Sequence, residues 1–369
     1  MTTQKTIESV WPEDAQAIFL TTFTFDGPFF EAALLPRLLE TSAEDIVVFV
    51  DANAGYRAAQ SALAALNCAG RDYHLLPVHW SPGVFHPKVH LFCGSKPVAL
   101  VGSGNLSWHG MGGALEAFDV IPADEGQSLD AIRQFFSTLV ADPRVGISGH
   151  ARRRLSRVLN TPLATTDAGY SRFVHSLQRP LIGQVMNHRL IESGSRLLLA
   201  APFHDADNQT SRTFADRFPS QTVEVAASPG RYPTIPFDLA TGHLKCPSGR
   251  DLHAKLIHVQ GEDGQLMIVG SANLTRPAWQ TGNAEAILMR QRVDAPFFEN
   301  FLEHAPFEAE EWQSKETHTS ACEAVGGESA AMCVAWAQAE YVFFTVDGSA
   351  ESAVLETRHG RHQLSLERH

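Results

Sequence analysis

HPKVHLF at His86–Phe92, then VGSGNLS at Val101–Ser107, then Glu116, return later in the chain as HAKLIHV at His253–Val259, VGSANLT at Val269–Thr275, and Glu285. The spacings agree to one residue. The His lies 16 residues before the glycine of the GS pair in one copy and 17 in the other. The Glu follows the Asn by 11 residues in one copy and 12 in the other. The two histidines are 167 residues apart, about one domain length. Such self-similarity changes the expected architecture from one large domain to a duplicated one.

The residue types suit an anion. On a strand, residues i and i+2 share a face, so His86 projects with Lys88, and His253 with Lys255. An ammonium beside an imidazole attracts a phosphate oxygen. A Gly-Ser-x-Asn turn after a strand offers a backbone N–H, a hydroxyl and an amide as neutral donors. A downstream Glu accepts from His Nδ1 and leaves Nε2 for chemistry. Two such half-sites face to face supply two histidines, one to attack phosphorus and one to protonate the leaving oxygen.

Working outward, strands are expected at Ile18–Phe25, Asp45–Asp51, Tyr73–Val78, His86–Phe92, Val98–Val101 and Ala114–Val120, with helices from Pro28 to Leu39 and over Tyr56–Asn67 and Leu129–Val140. The rhythm repeats with strands at Arg196–Ala201, Thr222–Ala227, Leu252–His258, Leu266–Val269 and Ala284–Met289 and helices at Ser211–Phe218 and Pro296–Leu302. The expected fold is therefore α/β. It comprises two similar lobes, 1–150 and 151–310, each a mixed or parallel sheet flanked by helices, about a pseudo-two-fold axis. A Pro- and Gly-bearing stretch, Asp142–Asp167, marks the junction. Residues 311–369 form an extension of unassigned role, with a helical turn and a strand expected within Val334–Val346.

Composition narrows the partners. Of 369 residues, 44% are hydrophobic and 19% charged, as in an ordinary globular protein. With 29 basic and 41 acidic residues the net charge is −12, which excludes a uniformly basic coat for nucleic acid but not a local basic site. Five scattered cysteines, Cys68, Cys93, Cys246, Cys322 and Cys333, form no CxxC pair and point to a reducing compartment. No signal peptide or apolar run of membrane-spanning length is read, so a cytoplasmic protein is expected.

The pair of H-x-K…G-S-x-N motifs resembles the phospholipase D superfamily over roughly residues 15–300. That resemblance implies a hydrolase that cleaves phosphodiesters through a covalent phosphohistidine, without metal or cofactor. His86 is the expected nucleophile and His253 the general acid. Lys88, Lys255, Asn105 and Asn273 are implied to bind phosphoryl oxygens, with Ser103 and Ser271 assisting and Glu116 and Glu285 orienting the imidazoles. The common motif carries an Asp five residues after the Lys, and here those positions are Cys93 and Gln260. That departure, together with Ser271–Trp279 (SANLTRPAW), is similar to tyrosyl-DNA phosphodiesterase and nuclease-like branches. It favours nucleic acid as substrate. A phospholipase D or phosphatidyl transferase is the alternative, and a non-catalytic subunit of a larger complex, such as an antiviral defence assembly with a targeting partner protein, is a third. One chain holds both motifs, so a monomer or a homodimer would carry a whole site.

Other residues carry weaker signals. Trp108 and Trp279 each follow a GSxN turn and are candidates for base stacking. The arginines of Arg152–Arg157 could meet a nucleic-acid backbone or simply face solvent. His90 and His258 read as packing groups, and Cys93 as a buried thiol. His204, Asp205 and Asp207 read as a loop with an acidic cap.

Overall fold

The computed structural model describes residues 10–61, 66–166, 171–186, 194–227, 242–245, 251–261, 264–280, 282–292 and 308–309, and the strands at 332–338, 341–347, 352–357 and 360–365. Met1–Trp312 forms one compact unit and Gln313–His369 a second.

In the first unit, one sheet contains β1 (Ala17–Thr22), β2 (Asp45–Asp51), β3 (His74–Val78), β4 (Val89–Cys93), β5 (Val98–Gly102) and β6 (Phe118–Ile121), ordered β3-β2-β1-β4-β5-β6. The second contains β7 (Ser171–His175), β8 (Gly194–Ala200), β9 (Ser220–Ala227), β10 (Gly242–Lys245), β11 (Leu256–Gly261), β12 (Gly264–Gly270), β13 (Ala286–Arg292) and β14 (Glu308–Ala309). Its order, β14-β10-β9-β8-β11-β12-β13-β7, contains the first sheet's order with one strand added at each edge. Both sheets are mixed. β1 pairs parallel with β2 and antiparallel with β4, and β8 does the same with β9 and β11. The sequence repeat is thus a repeat of strand topology, and the fold is two similar α/β lobes.

Strand alternation decides which side chains meet. In β1, Ala17 and Phe19 enter a core shared with Leu198 and Ala200 of β8, whereas Ile18 and Leu20 pack under their own lobe's outer elements. β1 and β2 are buried along their whole length, which explains their nearly continuous apolar sequence. The helix Gly126–Ala141 drives Leu129, Ile132, Phe135, Phe136 and Leu139 into the shared core at helical spacing. Arg290 on β13 crosses to the first lobe, pairing with Asp119 at 2.8 Å and Glu125 at 2.6 Å while 97% buried. Removing one partner of such a buried pair costs about 3–5 kcal/mol.

Several expectations shift. The helical segment after Pro28 runs to Leu39 with a π-helical stretch at Phe30–Leu34. The helix expected at Tyr56–Asn67 is described over Arg57–Ser61, and Pro296–Leu302 lies outside the described residues. In the second unit, Met332–Gln338 pairs antiparallel with Tyr341–Asp347, so the turn of helix expected in Val334–Val346 is replaced by strand. Its β-branched and aromatic residues favour that outcome. A second hairpin joins Ser352–Thr357 to Gly360–Ser365. Among the described residues no helix is long and apolar enough to cross a membrane.

Candidate active site

The H-x-K residues do not sit on strands. His86 and Lys88 lie in the extended segment just before β4, and His253 and Lys255 just before β11. The reason is a pairing between lobes. Phe85 bridges Ala284, and Leu252 bridges Leu115, both in parallel. The His86 N–H donates to Ala284 O at 2.9 Å, and the His253 N–H to Leu115 O at 2.9 Å. Asp51, at the end of β2, accepts from Phe85 N at 2.8 Å and steadies the segment from behind. Each histidine segment is therefore hydrogen-bonded to the residue preceding the glutamate of the other copy.

That reciprocity crosses the carboxylates. His86 Nδ1 lies 2.9 Å from Glu285 Oε2, and His253 Nδ1 lies 2.6 Å from Glu116 Oε1. Each imidazole thus spends Nδ1 on the opposite lobe and keeps Nε2 for a substrate. The serines, expected to face phosphate, are turned away from it. Ser103 Oγ donates to Glu116 Oε2 at 2.5 Å and accepts from Ala117 N, and Ser271 Oγ donates to Glu285 Oε2 and accepts from Ala286 N. Both serines are fully buried, so they aim the glutamates that aim the histidines. The motif glycines have a simple cause. A Cβ on Gly102 would stand 2.5 Å from Ala117 O, and one on Gly270 2.3 Å from Ala286 O.

Lys88 is wholly buried and Lys255 is 97% buried. Their ammonium groups fold back onto their own motifs, donating to His86 O at 2.8 Å and His253 O at 2.5 Å. Lys255 Nζ also lies 3.1 and 3.2 Å from the two ring nitrogens of His253. Among the described residues neither ammonium has a carboxylate within ion-pair distance. Burial, reinforced by Lys255, holds Lys88 well below the usual lysine range. Burial brings Lys255 down to about 8 against the opposing pull of Glu116 and Glu285. Buried cations without carboxylate partners are costly unless an anion joins them.

The histidines differ. Burial lowers His86 to about 4 even with Glu285 raising it, and the edge of Phe23 packs on its ring at 5.1 Å. His253 is also lowered by burial, opposed first by its hydrogen bond to Glu116. Burial alone would raise Glu116, but the His253 hydrogen bond and the Lys255 charge hold it below the usual carboxylate range. The His253 side chain is 21% exposed and that of His86 10%.

The two asparagines also part ways. Asn105 Oδ1 accepts from Phe23 N at 3.2 Å and Thr24 N at 3.4 Å, with Thr22 Oγ1 at 3.4 Å, which turns its NH2 the other way. The bridges Phe25–Leu106 and His204–Leu274 set the equivalent positions in the second lobe at Ala201 and Pro202. These lack a hydroxyl and a peptide N–H respectively, and buried Asn273 Oδ1 has no partner. Nothing in the spacing of the motifs signals Thr22 or Phe23, which lie over sixty residues upstream of the histidine they serve.

Other candidates sort clearly. Trp108 is 59% exposed, with the edge of Phe29 on its ring at 6.1 Å. Trp279 is 98% buried against Phe214 at 4.6 Å and is a core residue, not a stacking platform. Its GSxN offset is six residues against three for Trp108, which carries it past the rim and into the short helix Arg276–Trp279. In the basic run, Arg152 donates to the carbonyls of Val140, Asp142 and Val145, and Arg154 pairs with Asp45 at 3.1 Å. Half of that run is thus spent on structure. Burial pushes the Cys93 thiol up to about 12, as suits an inert group.

No family model and no curated protein matches this chain. Among solved structures, it is similar to polyphosphate kinase from Porphyromonas gingivalis, at 15% identity and a TM-score of 0.48, over 80% of this chain and 43% of that one. It is also similar to yeast tyrosyl-DNA phosphodiesterase, at 12% identity and a TM-score of 0.48, over 78% of this chain and 86% of that one. The chain therefore spans less than half the length of the kinase.

Proposed function

We propose that this chain is a phosphodiesterase of the phospholipase D type that hydrolyses nucleic acid through a phosphohistidine, without a metal ion. The observation that carries the reading is the pairing of two buried lysines, unpartnered by carboxylate, with two imidazoles whose Nδ1 atoms are held by glutamates from opposite lobes. A phosphodiester anion fits between the ammonium groups, and the Asn105 NH2 adds a neutral donor. His86 is the nucleophile because its deeper burial keeps it neutral. Its Nε2 attacks phosphorus, a P–N bond forms and the P–O bond to the leaving group breaks. The leaving oxygen takes a proton from His253 Nε2, which the 2.6 Å contact with Glu116 helps to keep protonated. His253, now neutral, then removes a proton from water. The hydroxide attacks phosphorus, the P–N bond breaks and His86 is restored. The missing Asp at Cys93 and Gln260 and the SANLTRPAW string favour nucleic acid over lipid.

The test is cleavage of labelled single- and double-stranded DNA and RNA in EDTA by wild type, His86→Ala and His253→Ala. Cleavage in EDTA that both variants lose supports the reading. Cleavage only of phospholipid vesicles supports the lipid alternative, and activity that survives both substitutions overturns the mechanism.

A further inference from the structure

Three large hydrophobic residues are exposed among the described ones: Leu39, Trp108 and Phe203. Two of the three stand beside the two motif turns, one on each lobe. Trp108 is the third residue after Asn105. Phe203 O accepts from Leu274 N at 3.1 Å, which fixes Phe203 against the residue following Asn273. They occupy non-equivalent positions, since Phe203 matches Thr24 of the first lobe through the His204–Leu274 and Phe25–Leu106 bridges. The duplication therefore does not account for them. Trp108 is 59% and Phe203 37% exposed, so neither owes its place to the core. Phe29 holds the Trp108 indole edge-to-face at 6.1 Å while leaving it open to solvent.

We infer that Trp108 and Phe203 are the two stacking platforms of an unpaired nucleic-acid strand, holding bases on either side of the phosphate to be cut. This inference rests on the phosphodiesterase reading above. A phosphodiester inside a strand carries a nucleoside on each side of phosphorus, and the site offers one open aromatic ring on each lobe. A flat base gains from a single ring face, whereas an acyl chain needs a continuous apolar wall. No such wall lies here. Trp108 is flanked by Ser107 and His109, and the neighbours of Phe203 include His204 and Asp205. A base in a duplex keeps its faces stacked inside the helix, so the strand at the site is unpaired.

The experiment compares full-length wild type, Trp108→Ala, Phe203→Ala and the conservative Phe203→Leu on short single-stranded DNA and RNA oligonucleotides of defined sequence. Each strand is also made with an abasic residue on one side or the other of the cleaved phosphate. Each Ala variant is expected to lose about tenfold in kcat/KM, mainly through KM, with Phe203→Leu in between. The Trp108 loss should shrink to under about twofold when the base on one particular side is absent, and the Phe203 loss when the base on the other side is absent. Dissociation constants measured with the chain carrying His86→Asn make the same comparison without turnover. If wild type cuts single strands but the aromatic variants keep full affinity, or lose it equally on abasic strands, this inference falls and the phosphodiesterase reading stands. If the chain neither binds nor cuts oligonucleotides, both fall.

Discussion

Replacing Glu285 by Gln keeps the size of the side chain and removes its charge. The structure says which histidine feels it. Glu285 is wholly buried, its Oε2 receives His86 Nδ1 at 2.9 Å and the Ser271 hydroxyl, and Asn283 Nδ2 reaches Oε1 at 3.3 Å. As His86 attacks phosphorus its ring becomes cationic, and the Nδ1–H bond to the carboxylate strengthens. A hydrogen bond to a charged group contributes about 1.5–3 kcal/mol, so losing the charge slows adduct formation about 10- to 150-fold. KM should change little, because the lysines hold the phosphate. The mirror variant Glu116→Gln acts on His253 instead. Its effect on the first step should shrink on a p-nitrophenyl ester, whose leaving group needs no proton, whereas the Glu285→Gln effect should persist. Single-turnover kinetics on both esters and the 15N resonances of the two imidazoles provide the assay. If Glu285→Gln shifts the Nδ1 resonance of His253 and leaves that of His86 in place, the crossed arrangement is refuted.

Activity should fall as the pH rises through about 8, because Lys255 loses the charge that grips phosphate, and a pH–rate profile at saturating and limiting substrate checks it. Fully buried His90 is lowered by burial from 6.5 to about 4, so its stabilising contribution is present above 6.5 and is lost as pH falls through 4. That gap is about 3 kcal/mol, and denaturant titrations should show a shallower acid limb for His90→Leu. Trp279→Ala should cost about 3–5 kcal/mol in stability by emptying the space against Phe214, yet leave KM for oligonucleotides close to wild type when measured well below its Tm.

Much of the fold was legible because a duplicated pattern constrains itself. The buried strands Asp45–Asp51 and Gly194–Ala200 are runs of β-branched and aliphatic residues that leave little choice, and the matching offsets of the two motifs implied matching strand orders. The four histidine and lysine residues also signalled themselves, since burying such groups twice at one spacing has little purpose outside an anion site. What stayed hidden depends on contacts between distant segments. The two short parallel bridges between lobes, which hold the histidine segments off the strands and exchange the glutamates, leave no local trace. Ser103 and Ser271 looked like phosphate donors because a hydroxyl at a turn serves either a ligand or a carboxylate equally well. The unequal anchoring of Asn105 and Asn273 turns on Thr22–Thr24 facing Ala201 and Pro202, a difference visible only once the lobes are superposed strand by strand.

The most direct measurement is an acid-free quench of full-length protein turning over a radiolabelled oligonucleotide in EDTA, followed by mass mapping of any covalent adduct. The expected result is an acid-labile, alkali-stable phosphoramidate on His86. It should be absent from His86→Ala and accumulate in His253→Ala on a substrate with a good leaving group. Steady hydrolysis with no adduct, or an adduct on a residue other than a motif histidine, would contradict the phosphohistidine mechanism.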